Sequence, residues 1–225
     1  LFVSLFVLGG GCKRNAAHSN EGPDSLSIWE KGEISALTLF GSTSYFIFKG
    51  EPMGYEYELL KDFADANNLK LSVKVASNEL KLQEMLSNGE GDLIAYSLPI
   101  TEAGKDSLLY CGQELLSEQV LIQQMHSSNP ILKDVTELIG KEVWVINNSK
   151  YHKRLINLDE ELGGGIDIKI IEHDTVSVED MIAKVAAGEI AYTLSDAELA
   201  KLNKTYYRNI NISLKVSHPQ RSAWA

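Results

Sequence analysis

From Ile34 onward the chain alternates short apolar runs with amphipathic segments of helical period, and this alternation constrains it to an α/β architecture built on largely parallel sheets. Candidate strands cover residues 35–39, 70–75, 92–96, 120–124, 143–146, 168–172 and 190–194. Between them, Val178, Met181, Ile182, Val185 and Ala186 recur at helical spacing, with Ser177 as cap, Asp180 three residues on and Gly188 as the stop. Leu59, Leu60, Phe63 and Ala64 form a similar stripe, as do Leu82, Met85 and Leu86 before Gly89. Two stretches echo each other: residues 88–98 (NGEGDLIAYSL) and 187–196 (AGEIAYTLSD) both read as helix stop, Gly-Glu, apolar strand, then hydroxyl-bearing residues. The two halves are thus expected to be built alike. Ligands of open α/β sheets bind beyond the carboxyl ends of strands, which places Ser97, Ser195 and Asp196 at a cleft.

Composition narrows the function. The 225 residues carry 31 acidic and 21 basic side chains, a formal charge of −10, with no dense Lys/Arg cluster. Phosphate backbones and anionic lipids need a positive field, so nucleic acid is excluded as the main partner. The histidines at 18, 126, 152, 173 and 218 lack Cys or carboxylate neighbours at ligand spacing, so neither a metal nor another cofactor is expected. GxGxxG, GxxxxGK[ST] and GxSxG are all missing from the sequence.

The N-terminal stretch 1–8 (LFVSLFVL) is apolar and uncharged, then come Gly9, Gly10, Gly11 and Cys12. It is far shorter than the roughly 20 residues of a spanning helix and ends in small residues, as a processed signal segment does. The pattern resembles the lipobox of bacterial lipoproteins. That resemblance implies a signal remnant over 1–11, lipidation at Cys12 and a tether over 12–33; a buried strand ending in a glycine turn is the competing reading. Cys111, beside Leu108, Leu109 and Tyr110, reads as a small buried hydrophobe; pairing with Cys12 is the alternative that lipidation excludes.

Two segments suit a ligand site. Residues 54–59 (GYEYEL) open a helix with Glu56 and Glu58 in its first turn, where dipole compensation is the simpler role for Glu58. Asn147, Asn148 and Ser149 form a strand-to-helix turn, so Ser149 either caps the helix or meets an anionic ligand group. Asp196 follows a strand, as an N-cap or as the carboxylate that an ammonium ligand needs.

At these residues the sequence resembles the family 3 extracellular solute-binding proteins, over about residue 37 to the end. The landmarks are residues 54–59, 89–101, 140–151 (GKEVWVINNSKY) and 191–196 (AYTLSD). Residues 203–207 (NKTYY) and 219–225 (PQRSAWA) are similar to the non-catalytic module of membrane-bound lytic murein transglycosylases. The resemblance implies a two-lobed periplasmic binding protein-like (type 2) fold: lobe one over 34–118, lobe two over 125–212, and crossovers at 119–124 and 213–225. It implies a small-molecule ligand (amino acid, peptide or muropeptide) held by Asp196 through its ammonium, with Glu56, Ser97, Thr101 and Ser149 nearby and Tyr45, Tyr57 or Tyr151 flanking it. Pro99 and Gly104 stand where the family places the threonine and arginine that hold a ligand carboxylate, and Lys105 replaces the guanidinium only as a point charge. Three functions follow: the regulatory module of a transglycosylase whose catalytic domain lies C-terminal, a lipoprotein serving an ABC permease, or a cyclohexadienyl dehydratase-like enzyme using Glu56 and Glu102. No catalytic residue is expected for the first two. Lys13 after Cys12, in place of an aspartate, implies periplasmic anchoring at the outer membrane by analogy.

Overall fold

A computed structural model describes residues 27–125, 130–172 and 176–225. The signal-like segment, Cys12, His18, His126 and His173 lie outside the described residues.

The first lobe begins with α1 (Ile28–Lys31), earlier than the tether expected over 12–33, because Ser27 and Glu30 close a capping box around it. Next come β1 (Glu33–Leu39), the hairpin β2 (Phe46–Phe48) and β3 (Glu51–Met53), α2 (Tyr55–Ala66), β4 (Lys70–Ala76), α3 (Glu79–Ser87), β5 (Leu93–Ile94), β6 (Leu98–Pro99), α4 (Glu102–Lys105) and β7 (Cys111–Ser117). The second lobe holds β8 (Gln119–Gln124), a 3₁₀ turn at Val135–Leu138, β9 (Glu142–Ile146), α5 (Lys150–Glu161), β10 (Asp167–Ile171), α6 (Val178–Ala187), β11 (Tyr192–Asp196), α7 (Ala197–Tyr206) and β12 (Ile210–Asn211). The chain then returns to lobe one as β13 (Gln220–Trp224).

Lobe one has a parallel sheet in the order β4-β1-β5 and an antiparallel sheet in the order β6-β13-β7. Alternation along β1 divides its core: Ile34 and Ala36 pack with Leu60 and Ala64 of α2, while Leu37 packs with Leu82 and Met85 of α3. Lobe two has one five-stranded sheet, β10-β9-β11-β8-β12, whose β8 pairs antiparallel with its neighbours. Leu121 faces Tyr151, Leu155 and Leu158 of α5, and Val120 and Ile122 face Ile182 and Val185 of α6. The fold is therefore α/β with two lobes, each with a largely parallel or mixed sheet flanked by helices, and lobe one carries the antiparallel β6-β13-β7 sheet besides.

Residues 119–124 are a strand inside the second sheet, so the first crossover narrows to Glu118. The expected strand at 190–194 is shifted two residues toward the C-terminus, which makes Asp196 its last residue. The sequence echo is visible in three dimensions, since α3 stops at Gly89 and α6 at Gly188, both with positive φ, before β5 and β11.

Two core assignments are corrected. Cys111 is exposed, because β7 is an edge strand paired only with β13 and nearly all its side chains face solvent. Leu59 and Phe63 are also exposed: α2 buries the face carrying Leu60 and Ala64, and Phe63 rests against Trp29 at the surface.

Gly54 fixes the entry to α2. At φ 136° it lies where side chains are strained, and a Cβ there would collide with the Ser44 carbonyl. That approach lets the Glu56 and Tyr57 amides donate to the Thr43 and Ser44 carbonyls at 3.1 and 3.2 Å, in place of a side-chain cap. Gly54→Ala is expected to cost about 1–3 kcal/mol, read as a lower midpoint in thermal denaturation.

Candidate functional site

A cavity of about 990 Å³ lies between the lobes. Its walls come from the C-terminal end of β1, the starts of α2 and α3, and Tyr96 and Ser97 after β5, all in lobe one. Lobe two contributes the ends of β9 and β11 and the first turns of α5, α6 and α7. The lobes touch across it: Ser42 donates through its amide and hydroxyl to Glu179 at 2.8 and 2.7 Å, and Ser117 donates to Glu198 at 2.7 Å.

At its centre sits Lys150, first residue of α5 and 7% exposed. Its ammonium donates to Asp196 Oδ2 at 2.5 Å and lies 5.6 Å from the Tyr96 ring and 5.4 Å from the Tyr151 ring. Burial opposes its charge, but the facing Tyr151, Asp196, Tyr96 and Glu79 outweigh burial and hold its pKa well above the ordinary lysine value. Asp196 stands at the N-cap of α7 yet makes no side-chain capping bond, since its carboxylate faces Lys150 instead.

Two more carboxylates are buried on the lobe-one side. Burial pushes Glu56 above the ordinary carboxylate range, against hydrogen bonds from Ser97 Oγ at 2.9 Å and Trp224 Nε1 at 3.4 Å. Glu79, 6% exposed, is pushed up by burial against the attraction of Lys150 and Lys153. The same burial raises the Tyr96 and Tyr151 hydroxyls, so both tyrosines are neutral. Among the described residues, no group of three His, Cys, Asp or Glu side chains is placed to hold a metal ion. No described helix is long and apolar enough to cross a membrane.

No family model matches the chain. In sequence it is 33% identical over 202 residues to membrane-bound lytic murein transglycosylase F of Desulfosudis oleivorans, covering 88% of this chain and 43% of that protein. It is 26% identical to the Idiomarina loihiensis protein of the same name, covering 99% and 49%. The chain thus spans less than half the length of these relatives. In structure it superposes with a TM-score of 0.71 on truncated, arginine-bound ArgBP from T. maritima, at 19% identity over 88% of this chain and 89% of that one. The arginine-bound amino acid ABC transporter substrate-binding protein AbpA from Streptococcus pneumoniae gives a TM-score of 0.72 at 15% identity, covering 88% and 82%. Over most of its length the chain is thus similar to part of membrane-bound lytic murein transglycosylase F, and it shares its fold with two-lobed amino-acid-binding proteins.

Within the cleft the expected ligand residues divide. Glu56, Ser97, Ser149, Tyr151 and Asp196 line the cavity. Ser149 is fully engaged as a cap, accepting the His152 amide at 3.1 Å and donating to the Ile146 carbonyl at 2.7 Å. Tyr45 and Tyr57 lie outside and pack on each other edge to face, 5.5 Å between centroids. Thr101 lies outside as the cap of α4, accepting the Gly104 amide at 3.0 Å. Ser195, expected at the cleft, is fully buried and hydrogen-bonds the Asp196 carbonyl. Glu102 is exposed and pairs with Lys105 at 3.4 Å, so neither residue reaches the cavity and the enzyme reading keeps only Glu56.

Position 104, where the resemblance would place an arginine, is crowded by a neighbour. A Cβ at Gly104 would collide with the Tyr110 hydroxyl, which donates to the Pro99 carbonyl at 3.0 Å. A side chain at position 104 therefore requires the Tyr110 hydroxyl to move.

Sequence reasoning missed Lys150, Glu79 and Tyr96. A signal for Lys150 was present, because a cation in the first turn of a helix opposes the helix dipole and asks for a local anion.

Proposed function

We propose that this chain is a periplasmic solute-sensing module, lipid-anchored through Cys12 at the outer membrane, whose cleft closes on an amino-acid, peptide or muropeptide-like ligand and thereby regulates a C-terminal transglycosylase domain. The observation that carries the reading is the roughly 990 Å³ cavity whose walls come from both lobes. A ligand touching both walls has different contacts in open and closed forms, which is what a closing switch requires. The Ser42–Glu179 and Ser117–Glu198 hydrogen bonds already join the two lobes beside this cavity. The transglycosylase relatives favour this context over service to an ABC permease, which rests on a shared fold.

Calorimetry with free amino acids, short peptides and muropeptides is expected to give binding heat that Asp196→Asn reduces at least about tenfold in affinity. Equal affinity in the variant, or no heat from the whole panel, rejects the reading.

A further inference from the structure

We infer that the lobe-one half of the cleft is charge-inverted relative to an amino-acid carboxylate site and receives an organic cation of net positive charge through its amine or guanidinium end. The inference rests on the cleft being a binding site and names the chemistry of its ligand.

Among the described residues the cavity is lined by six carboxylates, Glu56, Glu79, Glu179, Asp180, Asp196 and Glu198, and by Lys150 as the single basic side chain. Walls of one sign focus the field into the cavity and attract counter-charge. The partners of these acids differ. Glu179 and Glu198 take serine hydroxyls, Glu56 takes Ser97 and Trp224, and Asp196 takes the Lys150 ammonium. Glu79, more than nine-tenths buried and lining the cavity, takes no side-chain hydrogen bond among the described residues; it faces the Lys150 amide and shares the Lys150 charge with Asp196. One ammonium shared among these acids leaves the wall net negative, and a cation arriving beside Glu79 offsets the cost of burying its charge.

Lobe one offers an anion no matching place. Position 104 is crowded by Tyr110, Pro99 offers no N–H, and Lys105 lies outside the cavity. The first turns of α2 and α3, which elsewhere would attract an anion, already contain Glu56 and Glu79. The site also shows what it recognises, because an ammonium between two tyrosine rings and a carboxylate is already there, on Lys150. Leu39, Phe40, Val75, Leu115 and Leu116 add an apolar wall that suits the methylene chain of an alkyl amine.

The test is calorimetry of the chain with 1,5-diaminopentane against glutamine and glutamate. The diamine is expected to bind at least about tenfold tighter than either amino acid, to weaken as salt is raised, and to lose about tenfold or more in Glu79→Gln. Glutamate or glutamine binding as tightly as the diamine overturns the inference, as does unchanged diamine affinity in a folded Glu79→Gln. The salt dependence is read on the wild-type chain and needs no variant to fold. A silent diamine also overturns it, whatever the amino-acid and peptide panel shows; that panel decides the binding reading separately.

Discussion

Lys150→Met is expected to open the cleft and to lower the melting temperature by roughly 5–12 °C, the larger of the changes anticipated for this molecule. Methionine keeps the length and the apolar stem but removes the ammonium. That ammonium comes from lobe two, and what it neutralises is divided between the lobes: Asp196 in its own lobe, and Glu79 and the Tyr96 ring across the cleft. Without it, Asp196 and Glu79 face one another as uncompensated carboxylates. Breaking a buried pair by removing one partner costs about 3–5 kcal/mol, and the partial exposure of Asp196, 22% at its side chain, places this case at or below the lower end. For a chain of this size each kcal/mol moves the midpoint by about 2–4 °C. Calorimetry gives the midpoint and small-angle scattering the radius of gyration, which is expected to increase. An unchanged midpoint and radius would show that Lys150 does not hold the lobes together. The double variant Lys150→Met with Asp196→Asn separates the terms, since it is expected to recover part of the loss by removing the stranded charge.

Much of the fold was legible in the sequence because its signals are local. The Ser177–Asp180 capping box and the Gly188 stop bracket α6 as read, with the Asp180 carboxylate accepting the Ser177 amide at 2.8 Å. The apolar runs that became β1, β4, β8 and β9 are fixed by alternation and by the sheet faces they share. What was not legible depends on neighbours distant in sequence. Phe63 has a helical period but no core opposite it, and Cys111 has apolar neighbours but sits on an edge strand. Periodicity identifies a face without saying what covers it.

The same distinction governs the site. Asp196 was found because strand ends line clefts, and Glu56 because it opens a helix. Glu79 also opens a helix, after its cap Asn78, and in sequence it looks like an ordinary dipole-compensating acid. Only the approach of α5 from the other lobe buries it. Tyr45 and Tyr57 show the converse, since aromatic residues near a cleft in sequence satisfied each other instead. Lys150 is the case in which local rules disagreed with themselves, and that disagreement marked a position whose partner, Asp196, lies in the cleft.

Glu79→Gln is expected to stabilise the folded chain above about pH 5 and to leave it unchanged at lower pH. The direction follows from burial, which raises the Glu79 pKa from its ordinary 4.5 despite the attraction of Lys150 and Lys153, with Asp196 adding to the rise. Below the unfolded value both states hold the proton and the carboxyl is neutral in each. As pH climbs through 4.5 the unfolded chain releases its proton while the folded chain retains it, so the folded state binds more protons and stability falls until the folded value is passed. Glutamine never ionises and is spared this loss. Glu56, raised in the same direction by its own burial, contributes a parallel decline in both proteins and cancels from the comparison. Thermal midpoints measured from pH 4 to pH 8 are therefore expected to coincide at the acidic end and to separate in favour of the variant at the alkaline end. A constant gap, or a less stable variant at pH 8, contradicts the assignment of Glu79 as a carboxylate whose burial outweighs the attraction of its lysines. Saturating 1,5-diaminopentane supplies wild type with the counter-charge that the variant does not need, so it is expected to narrow the gap at pH 8 and to leave the midpoints at pH 4 together.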